Sequence, residues 1–314
     1  MTSLSWRALA PEDVPALTEL INTAIVADDT GRPVAAASVA EQFSMPRFDA
    51  ATDSVGAWAD GTLVAAGSTW SGSEPLDGHA MVVTNGHVHP EHRGCGIGSA
   101  LLGRLEARAE EIAHERFPGL PVRLRAPGGT AGSATQRLLE KHGYRPDNYF
   151  ITMEVALAAW LDPGEPAVAV PPDAPGLAAT REAHNDAFRD HRNFTPAPED
   201  VWQHWMSGEE NRHDLSRVVL EGDRVLAYSL VGEPQPGVAH IEILGTRREA
   251  RGRGLARAVL LEALRAARAA GMSVAELEVD STSPTGADRL YTSAGFEPVR
   301  TISRYQRDRG SVRP

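Results

Sequence analysis

Apolar residues along this chain recur at two spacings, and each predicts a kind of element. Leu4–Ala8 alternates as a half-buried strand does. Val14, Leu17, Leu20, Ile21, Ala24 and Ile25 then recur every three or four positions, the spacing of one helix face. Val55–Trp58 and Leu63–Trp70 flank Asp60-Gly61, a dipeptide suited to the positive φ angles of a tight hairpin. His79–Val88 predicts a further strand. Ile97–Ala113 predicts a helix with Leu101, Leu102, Leu105, Ala109 and Ile112 on one face. Val122–Ala126 (strand), Ala131–His142 (helix) and Phe150–Val155 (strand) follow.

The same succession then returns. Ala178–Phe188 reads as a helix, and Arg217–Leu220 and Val225–Val231 flank a Gly222-Asp223 turn. Ala239–Leu244 is a strand, and Leu255–Ala270 is a helix stopped by Gly271, a natural C-cap. Val274–Val279, Thr285–Ala294 and Val299–Tyr305 complete a strand, a helix and a strand. Sequence markers repeat in the same order. RGCGIGSALL from Arg93 is matched by RGRGLARAVL from Arg251, and KHGY at Lys141–Tyr144 by SAGF at Ser293–Phe296. Pro11–Leu17 resembles Pro171–Leu177, and the turn at Gly61 matches that at Gly222. A repeat this long is a duplicated domain rather than a solenoid unit. Pro163-Gly164-Glu165-Pro166 interrupts any regular element, so domains of 1–158 and 159–314 are expected.

Composition narrows the function classes. Two domains suit 314 residues, and 42% hydrophobic residues suffice for two ordinary cores. A formal net charge of −11 speaks against a nucleic-acid partner, which calls for a basic surface. No apolar run is long enough to span a bilayer, so no membrane partner is expected. The first residues lack a basic segment followed by an apolar one, so no secretory leader is expected. A single cysteine, Cys95, allows no internal disulfide and suits a reducing, cytoplasmic setting. His79, His87, His89 and His92 cluster without zinc-ligand spacing, so no metal is expected.

Chemistry is concentrated in two glycine-rich turns. Arg93-Gly94-Cys95-Gly96-Ile97-Gly98 and Arg251-Gly252-Arg253-Gly254-Leu255-Ala256 each follow a strand and open an amphipathic helix. Glycines permit positive φ and close approach, so successive N–H groups converge beside the positive end of a helix, a pyrophosphate site. One such turn is often only a tight connection; two in register carry more weight. They are not the dinucleotide fingerprint, which belongs on the first strand of a parallel sheet, and they lack the Lys-Ser/Thr ending of a P-loop.

Val88-His89-Pro90-Glu91-His92-Arg93-Gly94-Cys95-Gly96-Ile97-Gly98 resembles motif A of the GNAT N-acetyltransferase superfamily, Arg/Gln-x-x-Gly-x-Gly/Ala, and Gly245–Ala256 is a second match. Asp280 to Phe296, with Pro284, Gly286, Ala287, Leu290, Tyr291 and Gly295, resembles the family's closing segment. The resemblance implies an α/β (α+β) fold of two GNAT-type domains. Each would be a mixed, splayed, mostly antiparallel sheet flanked by helices. It implies acetyl-CoA in the splay, with its pyrophosphate on the loop. The coenzyme-binding set carried over is Leu244, Gly245, Thr246, Arg251, Gly252, Arg253, Gly254, Leu255 and Ala256, together with His87, Val88, Arg93, Gly94, Cys95, Gly96, Ile97 and Gly98.

Family members use a carboxylate or water chain as base and often a tyrosine as acid. The tyrosine maps onto Tyr291; its first-half counterpart is Leu139. By strand alternation His240 and Glu242 share a face with Leu244, where the first half has Val82 and Thr84. Tyr291, Glu242 and His240 are therefore the catalytic candidates. The first half is expected to be a degenerate domain that keeps a cradle able to hold acetyl-CoA. Plain readings stand beside these: Glu242 as a solvated or ion-paired strand residue, Tyr291 as core packing, His240 as a hydrogen-bonded bystander. Asp186, Asp190, His191, Trp202 and Trp205 lie where the family's first helices wall the acceptor site. The expected activity is acetyl transfer to a primary amine of a small molecule, by a monomer or homodimer. Mycothiol synthase, a tandem member of this length, is an alternative; a non-catalytic acyl-CoA-binding tandem protein is another.

Overall fold

The computed structural model describes residues 4–191, 194–282 and 287–311. In chain order it forms β1 (Leu4–Arg7), α1 (Val14–Asp28), α2 (Ala36–Glu41), α3 (Ala50–Asp53), β2 (Ser54–Ala59), β3 (Thr62–Ser71), β4 (Ala80–Val88), α4 (Ile97–Arg116), β5 (Pro121–Gly129), α5 (Ala134–Lys141) and β6 (Arg145–Ala156). Then come α6 (Ala174–Ala187), α7 (Glu199–Met206), β7 (Arg217–Glu221), β8 (Arg224–Gln235), β9 (Val238–Thr246), α8 (Leu255–Ala269), β10 (Val274–Asp280), α9 (Ala287–Ser293) and β11 (Glu297–Ser311). Pro284, Thr285 and Gly286, which the closing-segment resemblance and the predicted last helix include, lie outside the described residues.

Local signals act as expected at several points. Asp60 and Gly61 take φ of 48° and 82°, the paired positive values of a type I′ hairpin joining β2 to β3. Gly271, at φ 79°, follows the last turn of α8. Boundaries move where packing overrides propensity. β5 and β6 run longer than their apolar cores suggest, and the predicted Ala131–His142 helix starts only at Ala134, capped by the Ser133 side chain.

The chain forms two compact units. Unit 1 comprises 1–149 and 302–314; unit 2 comprises 150–301. In unit 1 the sheet order is β1-β2-β3-β4-β5-β11. The first four strands are mutually antiparallel, β4 and β5 are parallel, and β11 lies antiparallel to β5. In unit 2 the order is β6-β10-β9-β8-β7, with β9 and β10 parallel and the other pairs antiparallel. The units therefore differ from the sequence halves 1–158 and 159–314. β6, read as the closing strand of the first half, pairs with β10 from Phe150 to Ala156, while 303–311 pairs with β5. Alternation specifies that a segment is a strand, not which sheet edge receives it.

Each unit has its own core. In unit 1, Leu102, Ile112, Leu124 and Tyr305 pack together, with a second cluster of Leu17, Leu20, Ile21 and Leu63 under α1. In unit 2, Leu157, Leu260, Leu264, Leu277 and Phe296 form the main cluster. Trp160, beyond β6, is 6% exposed and donates to the Ala294 carbonyl at 2.9 Å. Among the described residues, no helix is long and apolar enough to cross a membrane.

Candidate active site

In both units the two parallel central strands part company. β4 and β5 are paired only from Ala80/Val122 to Val83/Arg125, although β4 runs on to Val88 and β5 to Gly129. β9 and β10 are paired from Val238/Val274 to Ile241/Leu277 and then diverge. The glycine-rich loop follows the free end of β4 or β9. Gly94 and Gly96 take φ of 78° and 89°; Gly252 and Gly254 take 74° and 76°. A Cβ placed on any of these four meets nothing within 4 Å, so the loops face open space. Gly96 and Gly254 stand at the N-caps of α4 and α8 and offer no side-chain cap. The first N–H groups of each helix thus point outward beside the positive end of its dipole.

The loop arginines are committed elsewhere. Arg93 donates to Asp28, at the end of α1, at 2.6 and 2.9 Å and to the Val88 carbonyl at 3.0 Å. Arg251 donates to the Ala187 carbonyl, at the end of α6, at 2.7 Å and to Asp190 at 3.3 Å. Both guanidinium groups tie the loop to the end of the first helix of its unit, which leaves the backbone as their contribution to the cradle. Cys95, exposed in the first loop, donates to the His92 carbonyl at 2.9 Å.

Unit 2 holds a cleft of about 850 Å³ that joins loop to splay. Leu244, Gly245, Thr246, Arg251, Gly252, Gly254, Leu255 and Ala256 line it, and so do Glu242 and Tyr291. Of the second-half catalytic and coenzyme-binding residues named from the sequence, Arg253 and His240 do not border it. The Thr246 hydroxyl is buried without a hydrogen-bond partner, an open polar group on the cleft wall. Its counterpart in unit 1 is Val88, and of the first-half set only His87 borders the 240 Å³ pocket of that unit.

Glu242 owes its place to a β-bulge. Ile243 lies opposite Leu230 and Ile241 opposite Val231, so Glu242 is the extra residue of β9. β4 pairs with β3 without interruption across Thr84. The Glu242 side chain lies over Gly232, where a Cβ would come within 2.6 Å of its carboxylate oxygen. It is an exposed side chain that opens onto the cleft. Desolvation in that cleft raises its pKa, and Glu278 and Glu276 add to the rise while His240 opposes it. The bulge shifts the alternation beyond Glu242, but His240 lies opposite Gly232, over which the Glu242 side chain also lies, so these two keep one face of the sheet. His240 bonds through Nδ1 to Glu276 on β10, at 3.1 Å. Burial lowers its pKa, but that bond and the charges of Glu242, Glu276 and Glu278 outweigh burial and leave it raised.

Tyr291, on α9, is 8% exposed, with its ring 6.1 Å from that of Phe296. Burial pushes its hydroxyl up to about 12, so it is a protonated donor at neutral pH. Leu139 fills the equivalent place in the core of unit 1.

Sequence reasoning missed several cleft residues. Glu278 lies on β10, Arg257 in the first turn of α8 and His184 on α6. His184 and the Tyr228 hydroxyl are hydrogen-bonded at 3.0 Å, and burial brings His184 down to about 4. A Cβ on Gly245 would meet Tyr228 at 2.6 Å, so this glycine makes room for the tyrosine. Of the acceptor-wall residues, Asp190 and His191 border the cleft, while Trp202 is buried behind His184. Asp186 accepts from the Arg248 backbone at 2.9 Å, and Trp205 is 39% exposed. Among the described residues, no group of three or more His, Cys, Asp or Glu side chains is placed to hold a metal ion.

Comparison with known proteins agrees with this geometry. The model of the acetyltransferase (GNAT) family matches twice, at residues 15–144 and 177–296. A mycothiol acetyltransferase of Stackebrandtia nassauensis is 30% identical over 260 residues, 79% of this chain and 80% of that protein. A GCN5-related N-acetyltransferase from Sphaerobacter thermophilus superposes with a TM-score of 0.78 at 28% identity, covering 99% of this chain and 96% of that one. A tandem GNAT protein from the clavulanic acid biosynthesis pathway shares the fold, with a TM-score of 0.69 at 17% identity over 98% of each chain. Two splayed sheets, two glycine-rich loops and a twofold family match have one reading: the chain belongs to the GNAT acetyltransferase family and carries its domain in tandem.

Proposed function

We propose that this acetyltransferase moves an acetyl group from acetyl-CoA to a primary amine of a small molecule, and that the cleft of unit 2 is where it does so. The observation that carries the reading is the cleft itself, which brings the loop, Glu242 and Tyr291 to one cavity wall. The residues fit a pyrophosphate and pantetheine. Open space at Gly252 and Gly254 leaves room for phosphate oxygens, and the partnerless Thr246 hydroxyl offers a hydrogen bond beside them. Bound there, acetyl-CoA supplies an activated acyl group and a thiolate leaving group.

The acceptor arrives as an ammonium and must lose a proton to become a nucleophile. Glu242 is placed to receive it, because a carboxyl group with a raised pKa is a stronger base than an ordinary one. Glu278 and Asp280 also border the cleft and favour a cationic visitor. On the leaving side, Tyr291 remains protonated at neutral pH and donates its proton to the departing sulfur. His240, bonded to Glu276 away from the cleft, acts on Glu242 through charge rather than contact.

The test is release of free thiol from acetyl-CoA against a panel of primary amines. Release with none of them, while acetyl-CoA still raises the melting temperature, would favour a non-catalytic coenzyme-binding protein. A second reading, mycothiol synthesis, rests on the names of relatives 27–30% identical to this chain. Incubation with the cysteinyl-glucosaminyl-inositol precursor tests it directly.

A further inference from the structure

We propose that unit 1 carries a ligand site of its own, a pocket for a small, uncharged, mostly apolar molecule with one hydrogen-bonding head group. The argument starts from one cross-strand pair in each unit. On β8 and β9, Tyr228 lies opposite Gly245; on β3 and β4, Ala66 lies opposite His87. Large and small have changed strands. In unit 2 the Tyr228 ring is fully buried, bonds to His184 and stands in the aromatic cluster around Trp202. It plugs the space between α6 and the sheet. In unit 1, Ala66 supplies no plug, and a pocket of about 240 Å³ opens between α1 and β3–β4.

The pocket opens to solvent beside Gln42 and Asn85, so a ligand can enter from water, and a concave, mostly apolar wall with a few polar groups is the usual form of a small-molecule site. Leu17, Ile21, Phe43 and Phe48 make most of the wall apolar, and Asn85 and His87 bring polar groups to it. A cavity of about 150 Å³ holds benzene, so this one holds a six-membered ring and a short polar substituent. Among the described residues, no Asp, Glu, Lys or Arg lines it, in contrast to the cleft of unit 2 with Asp190, Glu242, Glu278 and Arg257. His87 adds no charge, since burial, with help from Arg93 and against Asp28, lowers it to about 4. A carboxylate or an ammonium ion would therefore enter without a counter-charge, whereas a neutral hydroxyl or amide head finds partners.

Benzyl alcohol and toluene, titrated into the full chain by calorimetry and ligand-observed NMR, test the site. Benzyl alcohol should bind saturably at one site, about fivefold tighter than toluene, the gain of roughly one net hydrogen bond. Ala66→Tyr combined with His87→Gly imports the unit 2 pair and should abolish binding. Ser68→Leu, a milder change that narrows the pocket, should weaken it about tenfold and keeps the test open if the double variant fails to fold. Saturating acetyl-CoA should leave binding unchanged. The proposal falls if neither probe saturates, if toluene binds as well as benzyl alcohol, if folded Ser68→Leu binds undiminished, or if acetyl-CoA competes. Thiol release measured on the same samples reports on unit 2 separately.

Discussion

The loop of unit 1 reads His89-Pro90-Glu91-His92-Arg93-Gly94-Cys95-Gly96-Ile97-Gly98-Ser99; that of unit 2 reads Arg247-Arg248-Glu249-Ala250-Arg251-Gly252-Arg253-Gly254-Leu255-Ala256-Arg257. The two backbones agree within 15° at their positive-φ glycines, and in both the shared arginine reaches back to the first helix of its unit. Four positions differ in charge: 89, 90, 95 and 99 carry His, Pro, Cys and Ser where 247, 248, 253 and 257 carry arginine. Arg247 is buried on the Val225 carbonyl, Arg248 pairs with Asp190, and Arg257 spans Glu165 and Ser293. The shape of an anion cradle, set by a few glycines, thus survives in both units. The charged and polar groups around it do not: the bulge at Glu242, the Thr246 hydroxyl and the Tyr291 phenol are all features of unit 2.

The comparison breaks most sharply at Glu242. Glu242→Gln keeps the shape of the side chain and removes the base, so kcat should fall by about 10²–10⁴-fold. In the parent protein, kcat/KM should decline as pH falls through the Glu242 pKa. That pKa is raised, so the acid limb should lie above the ordinary glutamate range. A flat profile there would remove Glu242 from the proton path.

Gly254→Val puts a β-branched side chain at φ 76° in the open space beside the loop, where the coenzyme is proposed to lie. It should cost at least about tenfold in kcat/KM, mainly through KM, with the fold preserved by circular dichroism. The same change at Gly96, equally strained at φ 89°, should cost far less. The reverse ranking would place turnover in unit 1.

Tyr291→Phe should lower kcat by about 10²-fold, the lower end for a general acid, because a thiolate leaves readily. KM for acetyl-CoA should hold, since the ring and its packing on Phe296 remain. The smallest effect belongs to Leu139→Tyr. It gives unit 1 a phenol but no base, since Val82 and Thr84 carry none. Steady-state turnover should stay within about twofold of the parent, which a second active centre would exceed.

What could be read in the sequence was local. Glycine spacing located both loops, and Asp60-Gly61 located a hairpin, because positive φ is a demand few residues meet. Leu139 against Tyr291 already distinguished the halves. Other features depend on partners far along the chain. The bulge at Glu242 arises from the register of β9 on β8, and nothing in Ile241-Glu242-Ile243 announces an unpaired residue. His240, grouped with Glu242 by alternation, also finds a partner the sequence does not show, Glu276 on the neighbouring strand. Short α2 and α3 lack the turns needed to show a periodicity, and their formation rests on tertiary packing. The destination of the last strand is the most remote choice of all. Residues 303–311 carry one large apolar side chain, Tyr305, too little to announce a sheet; on β5 the backbone ladder forms, Tyr305 enters the unit 1 core, and ion pairs accompany them. Arg307 and Arg309 reach Glu106, and Asp308 reaches Arg123.

That last strand sets an order of events during synthesis. Unit 2 is one contiguous stretch, 150–301, and has every strand of its sheet once Thr301 is made. Unit 1 begins first and finishes last. After Tyr149 emerges, the β5 edge waits through more than 150 further residues for its partner. At translation rates of about 5–20 residues per second, that wait is on the order of 10–30 s. For that interval the nascent chain displays an open row of backbone donors and acceptors, a template for the wrong strand. A ribosome-bound chain stalled before Ile302 should therefore be protease-sensitive around β5 and recruit chaperones there, and release of the complete chain should end both.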